Sequence, residues 1–207
     1  SRPVRRTPTP MTPSARIPTT LGPAARVQVL RPEPTLDGGR CAAKRTVGDP
    51  VTCSVDVLRD GHEVLRAELG VQRPEGPWMW FPMVNVDAES LGVRWSGEVT
   101  VDRPGCWQWT VRAWADALAS WRVELARKAD GGQDDLGSEL AEGAFLLAQA
   151  ATRAAARDAD AADKADAVLL RTAAKRVGKA KGEQSEGVAL APGPALADAA
   201  ERHPRLF

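Results

Sequence analysis

Between Trp95 and Leu125 the chain alternates apolar and polar side chains in three successive runs. In the first, Trp95, Gly97, Val99 and Val101 share one side, with Ser96, Glu98, Thr100 and Asp102 on the other. In the second, Trp107, Trp109, Val111 and Ala113 oppose Gln108, Thr110 and Arg112. In the third, Trp121, Val123 and Leu125 oppose Arg122 and Glu124. A period of two puts successive side chains on opposite faces of a strand, so each run predicts a strand with one dry and one wet face. Asp102-Arg103-Pro104-Gly105 predicts a tight turn between the first two, because proline presets its own φ and glycine accepts a positive one.

Upstream, Arg26 to Leu30 reads as a short first strand ended by Pro32 and Pro34, and Val51 to Leu58 as a cleaner second one. Asp60-Gly61 is a hairpin signal leading into a return strand from about Val64 to Val71. Arg73 to Pro77 reads as a loop, Trp78 to Met83 as a further strand, and Asn85 to Gly92 as another loop. Short strands punctuated by Gly and Pro predict an immunoglobulin-like β-sandwich over residues 26–130. Residues 1–25 are rich in Pro, Thr and Arg and hold no apolar core of the signal-peptide kind; they read as a disordered basic tail.

The composition changes at Gly131-Gly132. Beyond it Leu136, Leu140, Ala144, Leu147 and Ala151 recur at helical spacing, with Asp134 or Asp135 placed to cap the start. A second stripe comprises Ala165, Val168, Leu169, Thr172, Ala173 and Arg176, with Gly178 as its stop. Gly182 to Pro194 reads as a connector, and Ala195 to His203 as a last short helix whose closeness to the chain end suggests a fragment. The expected fold class is therefore β + α: a sandwich followed by a small helical bundle over 134–207.

Charge and motif content narrow the function. With 28 basic and 27 acidic residues the net charge is +1, which argues against nucleic acid or a membrane surface as partner, and no apolar run approaches a bilayer-spanning length. We find no phosphate loop, no Ser/His/Asp or Cys/His arrangement and no metal-protease signature, so no catalytic, cofactor or metal residue is assigned. The pairs Asp134-Asp135 and Asp158/Asp160 fall at predicted helix starts, where they complement the dipole. His62 reads as a residue of the Asp60-Gly61 turn, and Lys175, Lys179 and Lys181 as a solvated helix end. Cys41, Cys53 and Cys106 form no CxxC pair; Cys53 shares a face with Val51, Val55 and Val57 and reads as a small buried apolar residue, and a reduced, cytoplasmic protein is expected, with an internal disulfide as the alternative.

Seven tryptophans beside three phenylalanines and no tyrosine are the compositional anomaly. Trp95, Trp107, Trp109 and Trp121 fit the sandwich interior, whereas the facing of Trp78, Trp80 and Trp114 is open. Exposed indoles stack on sugars, so these three are candidate carbohydrate contacts; Trp114, Trp121 and Arg122 are candidate sandwich-edge residues meeting the helices or a second subunit.

Ordered blocks along the chain resemble one family. They are Ala42 to Leu65, Pro82-Met83, Trp95 to Asp135, Glu139 to Ala151 and Glu201 to Leu206. They contain an RDGH turn (Arg59 to His62), a PGxWxxTVxAWxD pattern (Pro104 to Asp116, with Gln108 and Trp109 at its xx), Ser120-Trp121-Arg122, and an EGAxLL helix (Glu142 to Leu147). Residues 26–207 are thereby similar to the N-terminal region of the alpha-1,4-glucan:maltose-1-phosphate maltosyltransferases of the alpha-amylase superfamily. The leader matches nothing there, and 157–196 is a loose version of the family's helical segment. The resemblance implies a homodimer-forming N domain and helical segment in cytoplasmic α-glucan synthesis. It also implies that the (β/α)8 catalytic barrel, with its acidic residues, lies outside this sequence and that this chain alone is inactive. The rival expectation is a Trp-lined α-glucan-binding module.

Overall fold

The computed structural model describes residues 26–89, 91–156, 159–180 and 193–203. The expected tail 1–25, Asp158, Lys181 and all but the last two residues of the expected connector lie outside them. The described residues form seven strands: β1 (Val27–Glu33), β2 (Pro50–Arg59), β3 (Leu65–Gln72), β4 (Trp78–Pro82), β5 (Val84–Asn85), β6 (Arg94–Thr100) and β7 (Gln108–Ala115). They form two antiparallel sheets, ordered β1-β2-β6-β5 and β4-β3-β7. The alternation explains their shared core. Cys53, Val55 and Val57 of β2 meet Leu65, Ala67, Leu69 and Val71 of β3 together with Trp95 and Met83, and the dry face of β7 packs against them.

Two expected turns instead carry the chain from one sheet to the other. β2 and β3 flank Asp60-Gly61 but do not pair: β2 lies between β1 and β6, and β3 between β4 and β7. The intervening segment 60–64 is longer than a two-residue hairpin, and its last residue is drawn away, Val64 N donating to Ser120 Oγ at 2.8 Å. The Asp102 to Gly105 turn likewise joins β6 of one sheet to β7 of the other, with Gly105 at φ 132°. β1 also runs on through Pro32, with a register shift between Leu30 and Glu33. Arg94 gathers this edge: its Nη1 lies 3.0 Å from Asp56 Oδ1, its Nη2 2.7 Å from Ser54 Oγ, and it also pairs with Glu33.

The third alternating run is not a strand. Trp121 to Leu125 belongs to α1 (Ala117–Asp130). Asp116 is its N-cap, the side chain accepting from Ala119 N at 3.0 Å, and Trp121 and Leu125 are buried while Val123 is exposed. Residues four apart share a face in a helix as well as in a strand, so the five-residue pattern did not separate the two, and the cap decides.

Among the described residues three further helices follow: α2 (Gly137–Ala154), α3 (Ala161–Lys179) and α4 (Pro194–Arg202). Leu140, Leu147 and Ala151 of α2 are buried as the spacing predicts. Its N-cap is Leu136 rather than an aspartate, although Asp135 Oδ1 accepts from Gly137 N at 2.9 Å just before it. Asp160 and Asp163 form a reciprocal capping box on α3. The expected α3 stripe is rotated: Asp166, Ala167, Leu170, Ala174 and Val177 are buried, whereas Val168 is 60% exposed. An aspartate inside the buried stripe is what hid it from a hydrophobic reading. No helix among the described residues is long and apolar enough to cross a membrane.

Candidate functional site

The outer face of the β4-β3-β7 sheet collects the exposed tryptophans. Register places Trp80 opposite Gly70 and Trp78 opposite Gln72, with Thr110 and Gln108 continuing the two rows on β7. Trp78 and Trp80 are 40% and 37% exposed, their ring centroids 6.2 Å apart and their planes 27° from parallel. A Cβ at Gly70 would stand 2.7 Å from Trp80 Cζ3, so the glycine is what lets the indole approach the sheet. Arg112 lies over Trp80 with Cζ 3.9 Å from the ring centroid, and 6.0 Å from that of Trp114. Glu68, opposite Arg112 on β3, pairs with the guanidinium at 2.5 Å and fixes it there. Trp78, Trp80, Arg112 and Trp114 thus form one ladder supported by Gly70 and Glu68; Gly70, Glu68 and Arg112 were not singled out in the sequence. Strand parity alone puts Arg112 beside Trp114; its meeting with Trp80 needed the order of strands.

The structure does not bring all the candidate residues together. Trp114 borders a small cleft with Leu118, Leu146 and Ala200, where the sheet meets the helices. Trp121 is 4% exposed in the helical core, its Nε1 donating to Glu139 O at 2.7 Å, so it is neither a strand residue nor presented to solvent. It packs directly over Gly143, joining the Ser120-Trp121-Arg122 and EGAFLL blocks. Arg122 is half-buried on the same helix.

Sheet and helices are tied by polar contacts. Arg66 Nε lies 3.3 Å from Asp116 Oδ2, and Arg66 also pairs with Glu201 of α4. Asp166 receives both Nε and Nη2 of Arg202 at 2.7 Å and lies 3.1 Å from His203 Nε2. Arg202 first, with His203, holds its carboxyl below the usual aspartate range. Lys128, then a backbone hydrogen bond and Ser138, brings Glu139 down from 4.5 to about 2, linking α1 to the start of α2.

Between the sheets lies a cavity of about 680 Å³, lined by Val29, Cys53, Val99, Cys106, Trp107 and Trp109 among others. Its described lining includes no Asp, Glu or His, so it offers space for an apolar group rather than acid–base chemistry. Burial raises the Cys53 thiol to about 11, against a smaller opposing influence of Arg45. Cys41 and Cys106 are exposed, and all three thiols are free. No group of three or more His, Cys, Asp or Glu suited to a metal occurs among the described residues.

Residues 25–206 match the family model described as alpha-1,4-glucan:maltose-1-phosphate maltosyltransferase, domain N/S. The chain is 40% identical over 176 residues to the enzyme of that name from Myxococcus xanthus, covering 83% of this chain and 25% of that protein. It is 36% identical over 134 residues to the Chlorobaculum tepidum protein of the same name, covering 64% and 19%. Against maltosyltransferase 2 of Streptomyces coelicolor the identity is 36% over 120 residues, covering 58% and 18%. The chain spans a quarter or less of the length of these relatives.

Proposed function

Because the chain belongs to the domain N/S family of alpha-1,4-glucan:maltose-1-phosphate maltosyltransferases, we propose that it is the non-catalytic N-terminal assembly region of such an enzyme. In this reading an immunoglobulin-like sandwich and a small helical bundle pair two subunits and seat a (β/α)8 catalytic barrel. The complete enzyme transfers maltosyl from maltose 1-phosphate to an α-1,4-glucan in the cytoplasm, where the three cysteines stay reduced. The match over 25–206, against coverage of a quarter or less of each relative, carries the reading. Supporting it, Arg66 and Ser120 bind the sheet to the helices, so the two parts can act as one platform. Exposed Val123, Phe145 and Val168 leave apolar area on the helices for a partner. Size-exclusion chromatography with light scattering tests it. A species of twice the 22.1 kDa chain mass is expected, and a strict monomer at high protein concentration removes the pairing role.

A further inference from the structure

The geometry points to a second role for the outer face of the β4-β3-β7 sheet: a binding surface for an α-glucan chain, centred on Trp78 and Trp80. The identity of the sugar rests on the family reading above; the surface itself rests on its own observations. Strand alternation sets both indoles on the side of β4 facing away from the shared core, where they keep 40% and 37% of their area exposed. The two rings are stacked, 6.2 Å between centroids and 27° from parallel, and with Arg112 over Trp80 the flat apolar surface the pair leaves open belongs to Trp78. Such a surface suits the axial C–H face of a sugar, which is apolar and flat, while the hydroxyls around its rim need polar neighbours.

Those neighbours are present. Gln72 and Gln108 lie in the same row as Trp78, and Thr110 follows Gly70 in the row of Trp80. Trp80 is held by Gly70 beneath it and Arg112 against it, and Arg112 is itself held by Glu68. The platform is therefore preorganised, so little side-chain entropy is lost on binding. Trp78, the more exposed of the two, carries the principal stacking surface.

Charge selects the class of ligand. Arg112 is neutralised by Glu68, and Arg66 by Asp116 and Glu201, so the face has no free cationic stripe for a polyanion. The Arg112–Glu68 pair between Trp80 and Trp114 also interrupts the continuous apolar area that a protein partner prefers. A neutral polyhydroxyl chain satisfies both conditions.

The test uses this whole chain. Native gels with and without glycogen should show the wild type retarded, and Trp78→Ala migrating as in plain gel. Titration with maltoheptaose should shift the Trp78 indole N–H resonance, and Trp78→Ala should weaken the affinity about tenfold or more; Trp78→Phe should retain part of it. Circular dichroism confirms that the variants are folded. A wild type that is neither retarded by glycogen nor shifted by maltoheptaose overturns the proposal, as does equal retardation of Trp78→Ala. A Trp78→Ala chain that loses dimer mass with no change toward glucan assigns this face to self-association and also overturns it. A monomeric wild type that still binds glucan sinks the pairing role alone.

Discussion

A Cβ at Gly143 would stand 1.9 Å from Trp121 Cζ2, within the ring edge itself. Gly143→Ala is therefore expected to lower stability by about 1–3 kcal/mol through overpacking, read from urea unfolding followed by fluorescence. An alanine tolerated without loss would mean the indole has another place to go. The sequence marked both residues, the tryptophan as core and the glycine as part of a helix, but nothing local paired them. Cys53 is simpler: its place among Val51, Val55 and Val57 already marked it as buried, and the fold agrees. With its thiol raised to about 11 and closed off, it should stay unlabelled by iodoacetamide at pH 8 while Cys41 and Cys106 react. A count of three modified thiols before denaturant is added would contradict that placement.

Elements in this protein are joined by carboxylates that hydrophobic periodicity does not register. Asp166 draws the end of α4 onto α3, and Glu139 draws the end of α1 onto α2. Each carboxyl is held below its ordinary range, so each contributes stability that is complete above its unfolded value and lost as protonation overtakes the folded one. For Glu139 the window opens near pH 4.5 and extends down toward about 2. Glu139→Gln should lower the melting temperature at pH 7 and flatten its fall between pH 5 and 2, measured by far-ultraviolet circular dichroism. An unchanged acid limb would place the acid sensitivity elsewhere. The same blindness explains the rotated α3 stripe: the buried face includes a charged residue, and the apolar Val168 faces out.

Across the whole molecule, two apolar clusters meet through a narrow set of polar ties, and the helices retain apolar side chains at their surface. If the proposed pairing uses that surface, Val168→Asp should shift the light-scattering mass toward monomer without altering the circular dichroism spectrum. A full dimer in that variant would move the interface off this part of α3.

Most strand positions and the helices beyond Gly131-Gly132 were legible in the residues, because alternation, turn chemistry and composition act locally. Which strands pair, that the expected hairpin at Asp60-Gly61 and the tight turn at Asp102 to Gly105 both cross between sheets, and that Trp121 lies on a helix were not. Those follow from contacts between distant residues: the neighbours taken up on both sides of β2 and β3, the Asp116 cap and the fit of Trp121 over Gly143. The aromatic ladder divides the same way. Parity along β4 sets Trp78 beside Trp80, but only the packing of three strands lays Trp80 across Gly70 and brings Arg112 onto its ring.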